Sequence, residues 1–189
     1  MDFLKTRKTA IIITLITALL ATVVAVQKTT TRLTRNIEAM FYNGVYLDSQ
    51  GYLQPSIASQ LNKIIDTTLN LTTLIRNNDN LSDASEALLQ ARKALIDASS
   101  IKNKEKALTQ IDDALTVLNI AAQSSNLNER EREAFALHMQ SYNGAKSFII
   151  NTLAPTYNEK VDAYIAERSF IAALMSSVKP EKFFVEIYK

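Results

Sequence analysis

From residue 9 to residue 27 the chain is apolar without interruption (Ile11-Ile12-Ile13, Leu15-Ile16, Leu19-Leu20, Val23-Val24, Val26), and no charge lies between Lys8 and Lys28. As a helix rising about 1.5 Å per residue, this run is about 28 Å long, close to the hydrocarbon thickness of a bilayer. Beyond it the pattern turns periodic. Leu33, Ile37, Met40 or Phe41, and Val45 recur at helical spacing, which predicts that the spanning helix continues outward without a break. Asp48-Ser49-Gln50-Gly51 reads as a loop, and Pro55-Ser56 suits the first turn of a new helix, where a missing amide costs nothing.

Four further seams follow. Ile57, Leu61, Ile64, Thr68, Leu71 and Ile75 fall at alternating steps of four and three, the period of a face that meets a neighbouring helix. The polar run Arg76-Asn77-Asn78-Asp79-Asn80 ends it. Leu81, Ala84, Leu88, Ala91, Leu95 and Ala98 alternate large with small, a pattern for close packing, and Ser99-Ser100 is the expected turn. Next come Leu108, Ile111, Leu115, Leu118 and Ala122, closed by a polar cluster at 123–126. The last pattern starts after Asn128, where Glu129, Glu131 and Glu133 complement the helix dipole. It runs through Phe135, Met139, Tyr142, Ile149 and Leu153, then Tyr157, Val161, Tyr164, Ile171 and Met175. Pro155 interrupts it by removing a donor and crowding the carbonyl of Asn151; because the phase survives, a kink is expected rather than two separate helices. No strand alternation of useful length is present.

The fold class expected is all-α: an N-terminal transmembrane helix followed by an elongated antiparallel bundle of about four long helices. The domains are a basic tail at 1–8, the transmembrane helix at 9–27 and the bundle at 28–189. Lys5, Arg7 and Lys8, with small residues near Ala25, also fit a cleaved signal peptide, which would give a secreted bundle. The run exceeds an ordinary signal core, however, and Lys28, Arg32 and Arg35 follow it as at a headgroup boundary, so an uncleaved anchor is the reading taken.

Charge and composition narrow the function. Six basic residues and one acid precede Asn36, leaving 15 basic and 18 acidic residues beyond it, a net of −3. The positive charge therefore sits at the membrane and leaves no basic face for nucleic acid. Absence of cysteine removes disulfides, thiolate metal sites and thiol nucleophiles. Only three Gly and three Pro occur, which favours long helices over a turn-rich fold and leaves little room for a phosphate loop or nucleophile elbow.

Candidate chemistry is sparse. His138, the single histidine, has no carboxylate spaced to share a metal with it and reads as a boundary residue. Asp112-Asp113 and the Glu129, Glu131, Glu133 run read as solvated faces, since helix neighbours point different ways. Tyr42-Asn43, Tyr142-Asn143 and Tyr157-Asn158 each set an amide beside a seam aromatic; either they bridge helices by hydrogen bonds, or, as the preferred reading, they are core aromatics with incidental neighbours. Asn70-Leu71-Thr72 and Asn80-Leu81-Ser82 match the glycosylation acceptor pattern, which is too short to decide anything. In the C-terminal segment, Phe183 and Phe184 are expected to cap one end of the bundle, with a bilayer-contacting tail as the competing reading. No catalytic, cofactor-binding or metal-binding residue is assigned, and no cofactor is expected.

The run Tyr157-Asn158-Glu159-Lys160-Val161-Asp162-Ala163-Tyr164 resembles the YN-x-x-V-x-x-[YF]-N segment of LemA proteins, and Lys179-Pro180-Glu181-Lys182-Phe183-Phe184 resembles their closing KP-x-x-[FL]-F. Met40-Phe41-Tyr42-Asn43-Gly44-Val45, Asn70-Leu71 and Ala91-Arg92 fall in the same order as similar residues in that family. Ile165 stands where the second Asn is usual, and Phe170-Ile171 replaces a Phe-Pro pair. The resemblance implies one N-terminal membrane helix and a helical bundle in a bacterial membrane protein, and it supplies no catalytic residues.

The function expected is that of a non-enzymatic, membrane-tethered helical interaction or scaffold protein. Its partners are the lipid bilayer and either another membrane or envelope protein or a second copy of itself, with no nucleic acid. It is placed in the cell membrane as a single-pass protein with its bundle outside the cytoplasm, although three basic residues on each side leave orientation finely balanced. The alternative is an extracytoplasmic ligand-sensing bundle, against which only eight residues precede the anchor.

Overall fold

The computed structural model describes residues 7–47, 51–168, 172 and 178–184. Along them run α1 (Arg7–Asn43), a hairpin of β1 (Tyr46–Leu47) and β2 (Tyr52–Leu53), α2 (Ile57–Ile75), α3 (Ser82–Asp97), α4 (Ile101–Gln123), α5 (Glu129–Phe148) and α6 (Ala154–Glu167). A 3₁₀ turn, Asp79–Leu81, leads into α3, and a π-helical turn, Ile149–Leu153, joins α5 to α6.

The first helix is a single rod of 37 residues, about 55 Å long at 1.5 Å per residue. Its apolar part is exposed, with Leu15, Leu19 and Leu20 all uncovered, and it is long and apolar enough to cross a bilayer. Its outer third differs. Thr30, Thr34 and Phe41 are buried, and Ile37 and Met40 pack against the core, so the same helix passes from an uncovered segment into the folded body. Thr30 can be buried because its hydroxyl donates to the carbonyl of Val26 one turn back.

Gly44 ends α1. Its amide donates to the carbonyl of Met40, and its φ of +91° turns the chain into the hairpin, where Tyr46 pairs with Leu53 and Leu47 with Tyr52. This strand pair is an addition to the all-helical expectation: two residues per strand are too few to produce a readable alternation. Of the expected loop, Asp48, Ser49 and Gln50 lie outside the described residues, while Gly51 occupies a turn at φ +68°. Pro55 also differs from its expected place. Ser56 is the N-cap of α2, accepting from the amide of Ser59, so Pro55 stands just before the helix rather than inside its first turn.

The seams of α2, α3 and α4 are buried as spaced. In α2 the buried strip is Ile57, Leu61, Ile64, Thr67, Thr68, Leu71, Thr72 and Ile75; it is wider than the expected seam because the three threonines bond their hydroxyls back to Lys63, Ile65 and Leu69. In α3 the strip is Ala84, Leu88, Ala91 and Leu95, with Leu81 buried in the preceding turn and Ala98 at the C-cap. Among these helices α3 packs chiefly on α4, and α2 on α5 and α3. Arg92 on α3 donates to the carbonyl of Ile65 on α2 at 2.9 Å, and Tyr142 on α5 donates to Asp112 on α4 at 2.5 Å, tying those helices to one another.

Asn128 and Glu131 form a reciprocal capping box at the start of α5, which is how the acidic first turn is used. The chain then stays helical to Glu167. Pro155 neither breaks the run nor forces a connection: the five-residue π turn lies just before it, and Ala154 donates to Ile149 rather than to the residue four back. The first half of this run packs on α2 and the second half on α1, so α1 and α2 lie end to end along it. Ile171 and Met175, the last seam positions expected, lie outside the described residues. Pro155→Ala is expected to change stability by no more than about 1 kcal/mol in thermal melts, because the π turn already accommodates the ring and the added amide offers one donor.

Candidate functional site at the junction of anchor, bundle and tail

The outer end of α1, the start of α6, the start of α4 and the segment 178–184 meet at one place. Phe41 sits at its centre with no exposure, its ring edge-on to Tyr157 at 5.8 Å and to Phe183 at 5.2 Å. Phe183 is likewise fully buried and packs edge-on with Phe184 at 4.6 Å.

Backbone contacts fix the segment. Asn158 donates its amide to the carbonyl of Phe183 at 2.7 Å and accepts from the amide of Phe183 at 3.0 Å, satisfying both groups of one peptide residue with one side chain. The Tyr157 hydroxyl donates to the carbonyl of Glu181 at 2.8 Å. The Glu181 amide donates to Glu38 on α1 at 3.3 Å, and the Glu181 carboxylate accepts from the amide of Lys102 at 2.9 Å. That carboxylate adds negative charge at the N-terminus of α4, whose first turn contains no acid of its own. Lys182 pairs with Asp162 on α6 at 2.5 Å.

The tail is therefore a cap, and the bridging reading of Tyr157-Asn158 replaces the preferred one of incidental neighbours. Val185, Ile187 and Tyr188 of the same tail lie outside the described residues. The other Tyr-Asn pairs do not act alike. Tyr42 is exposed and stacks edge-on with Phe41 at 5.1 Å, whereas Tyr142 is buried and works alone, Asn143 being exposed.

Tyr142 overturns a second expectation. Asp112 is not a solvated acid: it is half-buried and receives both the Tyr142 hydroxyl and the Lys146 ammonium, the latter at 2.7 Å. Asp113 remains exposed, as does Glu133, and His138 is half-buried on α5. Among the described residues no three His, Asp or Glu side chains gather as metal ligands would. Sequence reasoning missed Asp112 because its partners lie 30 and 34 residues away; the Tyr142 seam position was its only signal.

Burial raises the Tyr142 pKa above the ordinary phenol range, and the Asp112 bond adds to the rise; Tyr157 is raised by burial and then by Glu38 and Glu181. In the unfolded chain these phenols ionise near pH 10, while the folded chain keeps their protons, so their stabilising effect is full below pH 10 and is lost as pH rises through the folded values. Urea melts should show wild-type stability falling above pH 10 at up to about 1.4 kcal/mol per pH unit for each such tyrosine. Tyr142→Phe should flatten that slope, and an unchanged slope would contradict it.

Below the junction, α6 runs back along α1 toward the apolar segment. The Tyr164 hydroxyl lies 3.4 Å from both the Thr34 hydroxyl and the Thr30 carbonyl. Between α1 and the end of α6 a groove of about 550 Å³ opens beside Ala25, Thr29, Leu33 and Arg168. A shallower groove of about 660 Å³ lies along α3 and α4, floored by Ala84, Ala87, Ala91 and Ala114 with Val117 at its edge. No protein-family model, curated protein or solved structure matches the chain.

Proposed function

We propose that this chain is a membrane-tethered, non-catalytic interaction protein of the LemA kind, its α1 crossing the cell membrane once and its helical body standing outside the cytoplasm to engage another envelope protein. The observation that carries this reading is the continuity of α1, which goes from exposed apolar turns to the buried Phe41 within one unbroken helix. A body joined in this way has no flexible linker and is held at a fixed attitude to the bilayer.

The face offered to a partner is the outer surface of α3 and α4. Val117 and Ile120 are 56% and 63% exposed on α4, beside a floor of alanines that admits a helix backbone closely, with Asp83 and Asp113 at the rim. Those acids suit an amphipathic partner helix carrying Lys or Arg. A photoreactive residue at position 117, activated in intact membranes, should give a discrete adduct with a second polypeptide. Ile120→Lys should abolish the adduct without lowering Tm. Diffuse labelling that is unchanged by Ile120→Lys would refute the assignment of this face.

A further inference from the structure

We propose that residues 178–184 act as a strap that fixes the base of the α3–α4 hairpin to α1, with the Glu181 carboxylate as its fastening on α4. Packing alone connects the two remotely: α4 lies chiefly on α3, α3 also on α2, and α2 in turn on α1. Midway along α4, Asp112 is held by Tyr142 and Lys146 of α5. The turns between Ile101 and Asp112 run for about 16 Å, and at their far end the tail supplies a direct link.

A gap gives that link its work. Between the base of α4 and α6 lies a cavity of about 510 Å³, with Lys102 and Glu105 on one side and Ile165 on the other, so the two helices do not close on each other there. Residues 179–182 border this cavity and bridge it. On the α6 side, Lys182 pairs with Asp162, and Asn158 holds both backbone groups of Phe183. On the α4 side, the Glu181 carboxylate accepts from the Lys102 amide. That amide lies in the first turn, where no carbonyl of the same helix can accept it; Ser100 already caps the amide of Asn103, and Glu181 serves the donor beside it.

Glu181 divides its groups among three helices. Its backbone amide goes to Glu38 on α1 and its carbonyl accepts from Tyr157 on α6, while its side chain goes to α4. The α1 and α6 side of the strap therefore stays fastened when the α4 side is cut. A partner that shifts the hairpin base works against this charge-assisted bond, so docking on α3–α4 and seating of the tail are coupled in both directions. That coupling rests on α3–α4 being the docking face; the strap itself does not.

The test uses the full chain in phospholipid nanodiscs. Because the chain has no cysteine, nitroxide pairs can be placed at exposed positions: Arg35 on α1 with Lys106 near the base of α4, and Arg35 with Leu137 on α5. Glu181→Ala should broaden the Arg35 to Lys106 distance distribution and leave Arg35 to Leu137 as in wild type. It should also speed exchange of the Lys102 amide about tenfold or more, the scale of a hydrogen bond to a charged group. Glu181→Gln keeps an acceptor oxygen and should return the distribution toward wild-type width, and Lys182→Ala, which cuts a tie to α6, should leave both distances unchanged. An Arg35 to Lys106 distribution no broader in Glu181→Ala than in wild type overturns the proposal. Equal broadening of both distances does so too, since the whole body would then have loosened. Failure of the docking reading shows separately, as absence of an adduct at position 117 while these distances behave as expected.

Discussion

Phe183→Ala is expected to destabilise the chain by about 3 to 5 kcal/mol, the range for removing a fully buried aromatic side chain from a packed site. Phe183 touches Phe41 and Phe184 and is held through its own peptide by Asn158, so little can move in to fill the space. For a body of this size that loss corresponds to a fall of roughly 6 to 20 °C in Tm by far-UV circular dichroism. Phe184→Ala should cost less, because Phe184 is slightly exposed and adopts a positive φ of 56° that Ala relieves no better and no worse. An unchanged Tm for Phe183→Ala, together with weaker liposome binding, would return the tail to the membrane and remove the cap.

Gly44→Ala is the second large effect, and its origin is backbone rather than core. A Cβ at Gly44 would lie 2.1 Å from the carbonyl oxygen of Gln54, an atom fixed in the hairpin by the Gln54 amide's bond to Val45. The φ of +91° adds its own penalty for any L side chain. Strain of about 1 to 2 kcal/mol from the left-handed backbone and about 1 to 3 from the clash give an expected loss of roughly 2 to 5 kcal/mol. The hairpin should also lose protection of its Gln54 amide in hydrogen exchange. Gly51→Ala, where no atom lies within 4 Å of the added carbon, should show only the backbone part.

These two sites differ in how far the sequence exposes them. The seams of α2 and α4 are legible because a 3.5-residue period over about twenty residues has one physical meaning, and Ser56, Ser100 and Asn128 mark the starts of α2, α4 and α5 by side-chain chemistry that acts locally. Phe183 is half legible. Its composition argues for burial, but nothing local says that Asn158, 25 residues earlier, clamps its backbone. The Asp112–Tyr142–Lys146 cluster and the α1–α6 groove are formed by residues 30 to about 140 positions apart, and no single-chain periodicity encodes such pairings. Pro155 is a different case. Its disturbance is predictable, yet whether it becomes a kink, a connection or a π turn depends on the packing of Ile149 and Leu153, both buried, at the two ends of the turn.

Three of the five segments in which the sequence resembles LemA proteins meet in space: Phe41 from one, Tyr157 and Asn158 from another, Glu181 and Phe183 from the third. Their shared work is to lock the outer end of α1 to the body, which is what a rigid tether requires.

Because the chain contains no cysteine, a single introduced thiol reports its own environment alone. Placing Cys in turn at Leu15, Leu19, Arg35 and Val117, and treating intact cells that carry the chain with a membrane-impermeant maleimide, tests the tether most directly. The account expects Leu15→Cys and Leu19→Cys to stay unlabelled until the membrane is dissolved, and Arg35→Cys and Val117→Cys to label from outside. Labelling of Leu15→Cys or Leu19→Cys in intact membranes would contradict it.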